Sequence, residues 1–218
     1  MTAVRALELA VRKDGFTVLI GPSGCGKTTI LRILAGLDED FTGNVPRVDE
    51  QRIGVVFQEP RLLPWRIVRD NIMLTADAEF GNAELNALAE ELGIISTLDR
   101  FPGELSLGLA RRVAIARAFA AAPDMLLLDE PFVSLDNPTA ERLRRLLVRV
   151  WSARRITTIM VTHNLREAIQ LSDRIVVLTQ GPARVRAIID IPTNQKDRNE
   201  EEIERLHGEL MHTYPNAF

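Results

Sequence analysis

The residues Gly21-Pro22-Ser23-Gly24-Cys25-Gly26-Lys27-Thr28 fit the pattern G-x-x-x-x-G-K-[ST] without a substitution. Glycines at those places let successive backbone N–H groups turn toward one point. A lysine adds an ammonium there, and a hydroxyl adds a hard oxygen for a cation, so the set makes a cradle for a polyphosphate. In such a cradle Lys27 reaches the β- and γ-phosphates, Thr28 ligates Mg2+, and the nucleotide-binding set runs on through Thr29. A glycine turn that binds nothing is the plainer alternative. At an average glycine usage of about 7%, a chance match arises on the order of once per hundred chains of this length, and its flanks lower that further.

Three other places offer chemistry. Met125-Leu126-Leu127-Leu128-Asp129-Glu130 is an apolar run ending in two carboxylates. Asp129 suits a Mg2+ on the phosphates, and Glu130 suits a water that it would orient and polarise. Gln58 follows the apolar run from Arg52 to Phe57, and His163 follows Ile156 to Val161. Carboxyl ends of core strands are where open α/β sheets place ligand chemistry. A solvated strand-end acid for Glu130 and a core histidine for His163 stay open as alternatives.

Stepping from these residues to the elements that carry them, Phe16 to Ile20 reads as a strand buried on both faces, and Ile30, Leu31, Ile33, Leu34 and Leu37 recur at helical spacing before Gly36 and beyond it. Leu7, Leu9 and Val11 alternate as in a half-exposed strand. Asp38 to Pro46 is rich in turn formers. Asn82 is expected to cap a helix carrying Leu85, Leu88, Ala89 and Leu92, with Gly93 behind it. Ser106 opens another through Leu109, Val113, Ala116, Phe119 and Ala120, with Arg111, Arg112 and Arg117 around it. Further helices are expected over Thr139 to Trp151 and Leu165 to Leu171, with strands over Arg174 to Leu178 and Val185 to Ile191. The fold class is therefore α/β: a P-loop NTPase core with an antiparallel edge sheet and an inserted helical subdomain. The whole of 1–218 reads as one domain, with its core over about 1–66 and 123–191, helices over about 67–122, and a charged tail over 192–218 in which no chemistry is legible beyond one short helical pattern.

Between the prolines of Glu59-Pro60-Arg61-Leu62-Leu63-Pro64-Trp65, leucines and a tryptophan stand in a stretch that suits neither a helix interior nor a central strand. They are either ordinary core or a docking loop with an aromatic anchor, and the second reading is preferred. Net charge is −3 from 27 basic and 30 acidic side chains, which leaves no electrostatic footprint for nucleic acid. The single cysteine, Cys25, allows no internal disulfide and fits a reducing compartment. No apolar run reaches the 18 or so residues of a membrane span, and Met1 to Arg5 carries no apolar core of a leader peptide. A cytoplasmic protein that meets a membrane through a partner is expected.

Taken together, the glycine loop, Gln58, Asp129-Glu130-Pro131, Ser134-Leu135-Asp136 and Thr162-His163 stand in the order found in the nucleotide-binding subunits of ABC transporters, which the chain resembles from about Leu7 to Ile191. The stretch Phe57 to Trp65 is similar to importers of nitrate, sulfonate, taurine and related small solutes. The resemblance implies an ATPase in which Glu130 is the catalytic carboxylate, His163 holds the γ-phosphate and the attacking water, and Gln58 joins Thr28 and Asp129 around Mg2+. It also implies that the Gln58–Trp65 loop meets a transmembrane permease, with a solute-binding protein in the same system. Two subunits then bind ATP head to tail, each offering Ser106, Gly108 and Asp136 to the nucleotide on its neighbour.

Two departures follow. The family's Leu-Ser-Gly-Gly-Gln reads Leu105-Ser106-Leu107-Gly108-Leu109 here, so Leu107 replaces a glycine and gives up any freedom for positive φ. No aromatic precedes Phe16 to stack on adenine, and such stacking is worth about 1–3 kcal/mol on nucleic-acid bases. Residues acting on the subunit's own nucleotide are thus complete, while those offered to a partner are altered, which suggests pairing with a subunit whose signature is intact. Four readings compete: a transport ATPase; a nucleotide-dependent regulatory module with little hydrolysis; a DNA-repair or chromosome ATPase, for which the 77 residues between Thr28 and Ser106 leave no room for long coiled coils; and a GTPase, for which no Asn-Lys-x-Asp stretch exists.

Overall fold

A computed structural model of the chain describes residues 3–45 and 51–214. Met1, Thr2 and Pro46, which entered the readings of a leader peptide and of a turn, lie outside those residues. The structure divides into two compact units, Met1–Arg47 with Arg155–Phe218, and Val48–Arg154.

In the first unit β1 (Phe16–Ile20) lies parallel to both β4 (Thr157–Thr162) and β5 (Arg174–Leu178), and β6 (Val185–Asp190) runs antiparallel on β5. Every residue of β1 is buried, as an unbroken apolar run in a parallel sheet should be. The helices are α1 (Lys27–Leu34), α6 (Leu165–Leu171) and α7 (Glu200–Thr213). Ile20 is level with Thr162, so Gly21 and His163 leave the sheet at the same carboxyl edge.

The strand expected over Leu7 to Val11 does not form. Exposure alternates there as the pattern requires, but no ladder is made. Among the described residues the one bridge near this segment joins Val4 to Ala183, and Ala6 at φ 49° then turns the chain out of line. The antiparallel edge consists of β6 alone among the described residues.

The charged stretch after Thr193 is also more than a tail. Its helix α7 buries Ile203 and Leu210, and Arg166 of α6 pairs with Glu200 and Glu204. A short helix leaves its last carbonyls without intrahelical partners, and here the C-terminal segment supplies them. Arg198 donates to Ile169 O, and Gln195 donates to Leu171 O at 3.1 Å and to Asp173 at 2.9 Å. Burial lowers the Arg198 pKa to about 10, which still leaves a cation at neutral pH beside the negative end of the α6 dipole.

In the second unit β2 (Ile53–Val56) and β3 (Met125–Asp129) pair in parallel, with Val56 level with Leu128, so Gln58 and Glu130 both follow the same edge. Around them stand α2 (Val68–Met73), α3 (Asn82–Glu91), α4 (Leu107–Ala120) and α5 (Asn137–Arg154). Asn82 is the first residue of α3 and not its cap: Gly81 takes that place, and its N–H donates to the Glu84 carboxylate at 2.9 Å. That carboxylate, three residues on, does the capping that the asparagine was expected to do. Helix α4 is buried on nearly every side, including at Arg111. Its three arginines, one buried and two half-buried, donate to carbonyls of three other segments, Arg112 to Leu92, Arg111 to Pro131, and Arg117 to Pro60 and Arg61.

Candidate nucleotide-binding site

The glycine loop leaves β1 at Gly21 and closes into α1 at Lys27. Gly24 at φ 75° and Gly26 at φ 113° occupy backbone conformations that L side chains rarely adopt. At Gly26 space forbids a side chain as well, because a Cβ would stand 2.6 Å from the Ala3 carbonyl oxygen. No side chain caps α1, and its first turn holds no acidic residue. The positive end of its dipole therefore faces the loop without a carboxylate from its own first turn, a condition under which a phosphate is favoured.

Lys27 is 5% exposed, and its Nζ donates to Gly21 O at 2.7 Å and to Pro22 O at 2.9 Å. Two neutral carbonyls orient the ammonium but do not neutralise it. A buried cation is costly to desolvate, and an anionic ligand relieves that cost. Ser23, Gly24 and Thr28 are exposed, Pro22, Gly26 and Thr29 are half-buried, and Cys25 is buried. His163 is exposed at the head of a braced turn: the Thr162 hydroxyl donates to the Glu167 carboxylate at 2.8 Å and accepts from Asn164 N at 3.0 Å, while the Asn164 side chain caps α6.

The second unit carries the remaining residues. Asp129 ends β3 at 7% exposure, and Glu130 follows at φ 43°. A left-handed backbone on a non-glycine residue costs about 1–2 kcal/mol, and strain of this kind gathers at functional turns. The turn is secured by Arg111 donating to Pro131 O and by Val133 N donating to Glu130 O at 3.2 Å. Gln58 is exposed beyond β2.

Ser106 caps α4, its hydroxyl accepting from Leu109 N at 3.3 Å. Leu107 is the first residue of α4 and 42% exposed. It is not among the positive-φ residues, so the expectation that a branched residue here loses a needed φ > 0 does not hold; what differs from glycine is the side chain itself. Gly108 is explained by packing, since a Cβ would come within 2.9 Å of Thr139 Cγ2 in α5. Asp136 caps α5 by accepting from Thr139 N at 3.1 Å, and hydrogen bonds from Thr139 hold its carboxyl below the usual range. Phe16, the first aromatic of the chain, is 1% exposed within β1 and offers no face to a base.

Two residues with no legible role in the sequence shape the Gln58–Trp65 loop. Asn71, fully buried in α2, accepts from Leu63 N at 2.7 Å and donates to the carbonyls of Leu63, Arg66 and Ile67. Arg117 donates to Arg61 O at 2.8 Å and Pro60 O at 2.9 Å. Between these anchors Leu62 and Leu63 are half-buried, while Trp65 is 71% exposed. The signal available was a polar residue within each helix's apolar run, which does not say what it bonds. No described helix is long and apolar enough to cross a membrane.

Residues 4–133 match the family model for ABC transporters. Over 211 residues, covering 96% of this chain and 89% of the relative, the sequence is 39% identical to the aliphatic sulfonates import ATP-binding protein SsuB 1 of Pseudomonas savastanoi pv. phaseolicola. It is 41% identical over 191 residues, 88% of the chain and 76% of the relative, to SsuB 2 of Streptomyces avermitilis. Among solved structures, the dimeric structure of MJ0796, a bacterial ABC transporter cassette, superposes with a TM-score of 0.75 at 27% identity, covering 88% of this chain and 92% of that one. A post-hydrolysis structure of the same cassette with ADP and Pi gives 0.70 at 27% identity over the same shares. With a family model matched over more than half of its length and relatives at about 39% identity over nearly all of it, the chain belongs to the ABC transporter family, as one of its ATP-binding subunits.

Proposed function

We propose that this subunit hydrolyses ATP to drive uptake of a small anionic solute, of the aliphatic sulfonate kind, through a permease. The observation that carries the nucleotide site is Lys27, a buried ammonium poised on two loop carbonyls beside an uncapped helix N-terminus. When ATP enters, the backbone from Gly21 to Thr29 receives its phosphates and Lys27 turns from carbonyls to phosphate oxygens.

The hydroxyl of Thr28, the amide oxygen of Gln58 and the carboxylate of Asp129 are each a hard-oxygen donor of the kind that Mg2+ takes. They would hold the ion, which supplies charge neutralisation on the phosphates. Glu130 accepts a hydrogen bond from the attacking water and orients it, and His163 donates to the γ-phosphate side. A second subunit completes each site, with Ser106 and the first turn of α4 set against the neighbour's nucleotide and Gly108 and Asp136 shaping that surface.

The loop ending in Trp65 supports docking on a permease, because a large aromatic is left 71% exposed on a backbone fixed from both ends. On this reading the subunit works on the cytoplasmic face of a membrane, in a system that includes a solute-binding protein. The regulatory reading with little hydrolysis is not favoured, since every group that acts on the subunit's own nucleotide is present.

The test is growth on an alkylsulfonate as the only sulfur source in cells that carry this chain with its own permease. Deleting the chain should stop growth and re-expression should restore it, while Trp65→Ala protein should no longer be retained by the polytopic subunit in solubilised membranes. Unimpaired growth of the deletion strain would exclude sulfonates as the solute.

A further inference from the structure

Helix α4 begins at the signature Ser106 and carries Arg111 and Arg117 on to two other functional segments of the same unit. Arg117 places both terminal nitrogens on consecutive carbonyls, Pro60 O and Arg61 O. The planar fork of a guanidinium suits such a pair, which a lysine could only reach singly. Arg61 needs the support: its backbone is left-handed at φ 47°, and its own guanidinium lies 4.3 Å above the Phe57 ring. Six residues earlier on the same helix, Arg111 donates to Pro131 O, next to the left-handed Glu130. One rigid helix thus grips both strained turns, each through an arginine to a carbonyl.

We propose that Arg117 is the positioning residue for the Pro60–Trp65 segment, and that α4 ties that segment to the turn carrying Glu130, which Arg111 holds. The inference rests on the docking role of the loop given above. It makes the course of the segment's near end a property of α4, so that a displacement of the helix moves Pro60 and Arg61 and, through them, the stretch leading to Trp65. Asn71 fixes the far end of the segment from α2 and leaves its near end to Arg117.

The experiment compares Arg117→Gln, Arg117→Lys and Trp65→Ala in the full chain, by hydrogen exchange and by retention of the polytopic membrane subunit on a tagged chain from solubilised membranes. Arg117→Gln should speed exchange at Leu63, whose N–H is the hydrogen-bonded amide of the segment, about tenfold or more, leave β3 and the turn after Glu130 at wild-type rates, and lower retention several-fold. Arg117→Lys should fall between it and wild type, as partial replacement of the fork requires. Trp65→Ala should lower retention with exchange unchanged. Wild-type exchange in Arg117→Gln would overturn the proposal, and so would a speed-up spread evenly over the unit, which would make Arg117 a general core residue. If Trp65→Ala keeps full retention, the docking role fails instead, and the exchange rates still decide whether Arg117 positions the loop.

Discussion

Replacing Leu107 separates two effects of opposite sign. The residue opens α4, where Cα–Cβ bonds tilt toward the helix N-terminus, so its four-carbon side chain projects over the turn on which a partner's γ-phosphate would rest. At 42% exposure it gains about half of a leucine's full burial, roughly 1 kcal/mol of the 1.5–3 kcal/mol scale. Leu107→Ala should therefore lower stability by about 1 kcal/mol, and Leu107→Gly by roughly 1 kcal/mol more through its poorer helix propensity. Turnover should move the other way. A single preorganised donor at a developing charge is worth about 10²–10³ in rate, so readmitting the phosphate to the first turn of α4 should raise the homodimer's kcat at least about tenfold, equivalent to about 1.4 kcal/mol of barrier.

The backbone at Leu107 is already helical, so alanine should recover most of what glycine does. The assay is phosphate release at saturating ATP across protein concentrations, beside a thermal melt of each variant. A gain for glycine alone would show that backbone conformation matters and not side-chain bulk. No gain for either would refute the account of the altered signature.

Other perturbations have definite outcomes. Lys27→Ala removes the ammonium from the phosphate cradle and should abolish nucleotide-dependent turnover, with ATP affinity in a direct binding assay falling in parallel; full activity would refute the site. Arg198→Met strips the donor from Ile169 O and Thr193 O, and at about 1–3 kcal/mol for each buried acceptor left unpaired it should lower the melting temperature by several degrees and speed hydrogen exchange at the end of α6.

The chemistry-bearing residues were legible because each marks a strand's carboxyl end, where apolar runs stop at polar side chains: Ile20 before the glycine loop, Leu128 before Asp129 and Glu130, Val161 before Thr162 and His163. The inward arginines of α4 were not legible. A charged residue in a helical pattern reads as solvent-facing, and nothing local says that a carbonyl more than fifty positions away, such as Pro60 O for Arg117, will meet it. The same holds for Gln195 and Arg198, whose partners lie on α6 and at its end. At Leu7 to Val11 the alternation was read correctly and the strand was not, because the left-handed Ala6 intervenes between the one bridge and the rest of the segment. The exchange of Asn82 for Gly81 as a cap shows Glu84 deciding the helix start by a carboxylate-to-backbone bond, an alternative that cap preference alone does not rank.

On the proposed mechanism Glu130 is the group that turns a bound nucleotide into a hydrolysed one. The most direct measurement of that role is single-turnover phosphate release by Glu130→Gln beside wild type, with ATP binding and dimerisation followed on the same samples. Glu130→Gln should bind ATP as wild type does, accumulate a long-lived ATP dimer, and release phosphate at least about a hundredfold more slowly, at the lower end of the 10²–10⁴ range for a positioned general base. Phosphate release at the wild-type rate from Glu130→Gln would contradict that role.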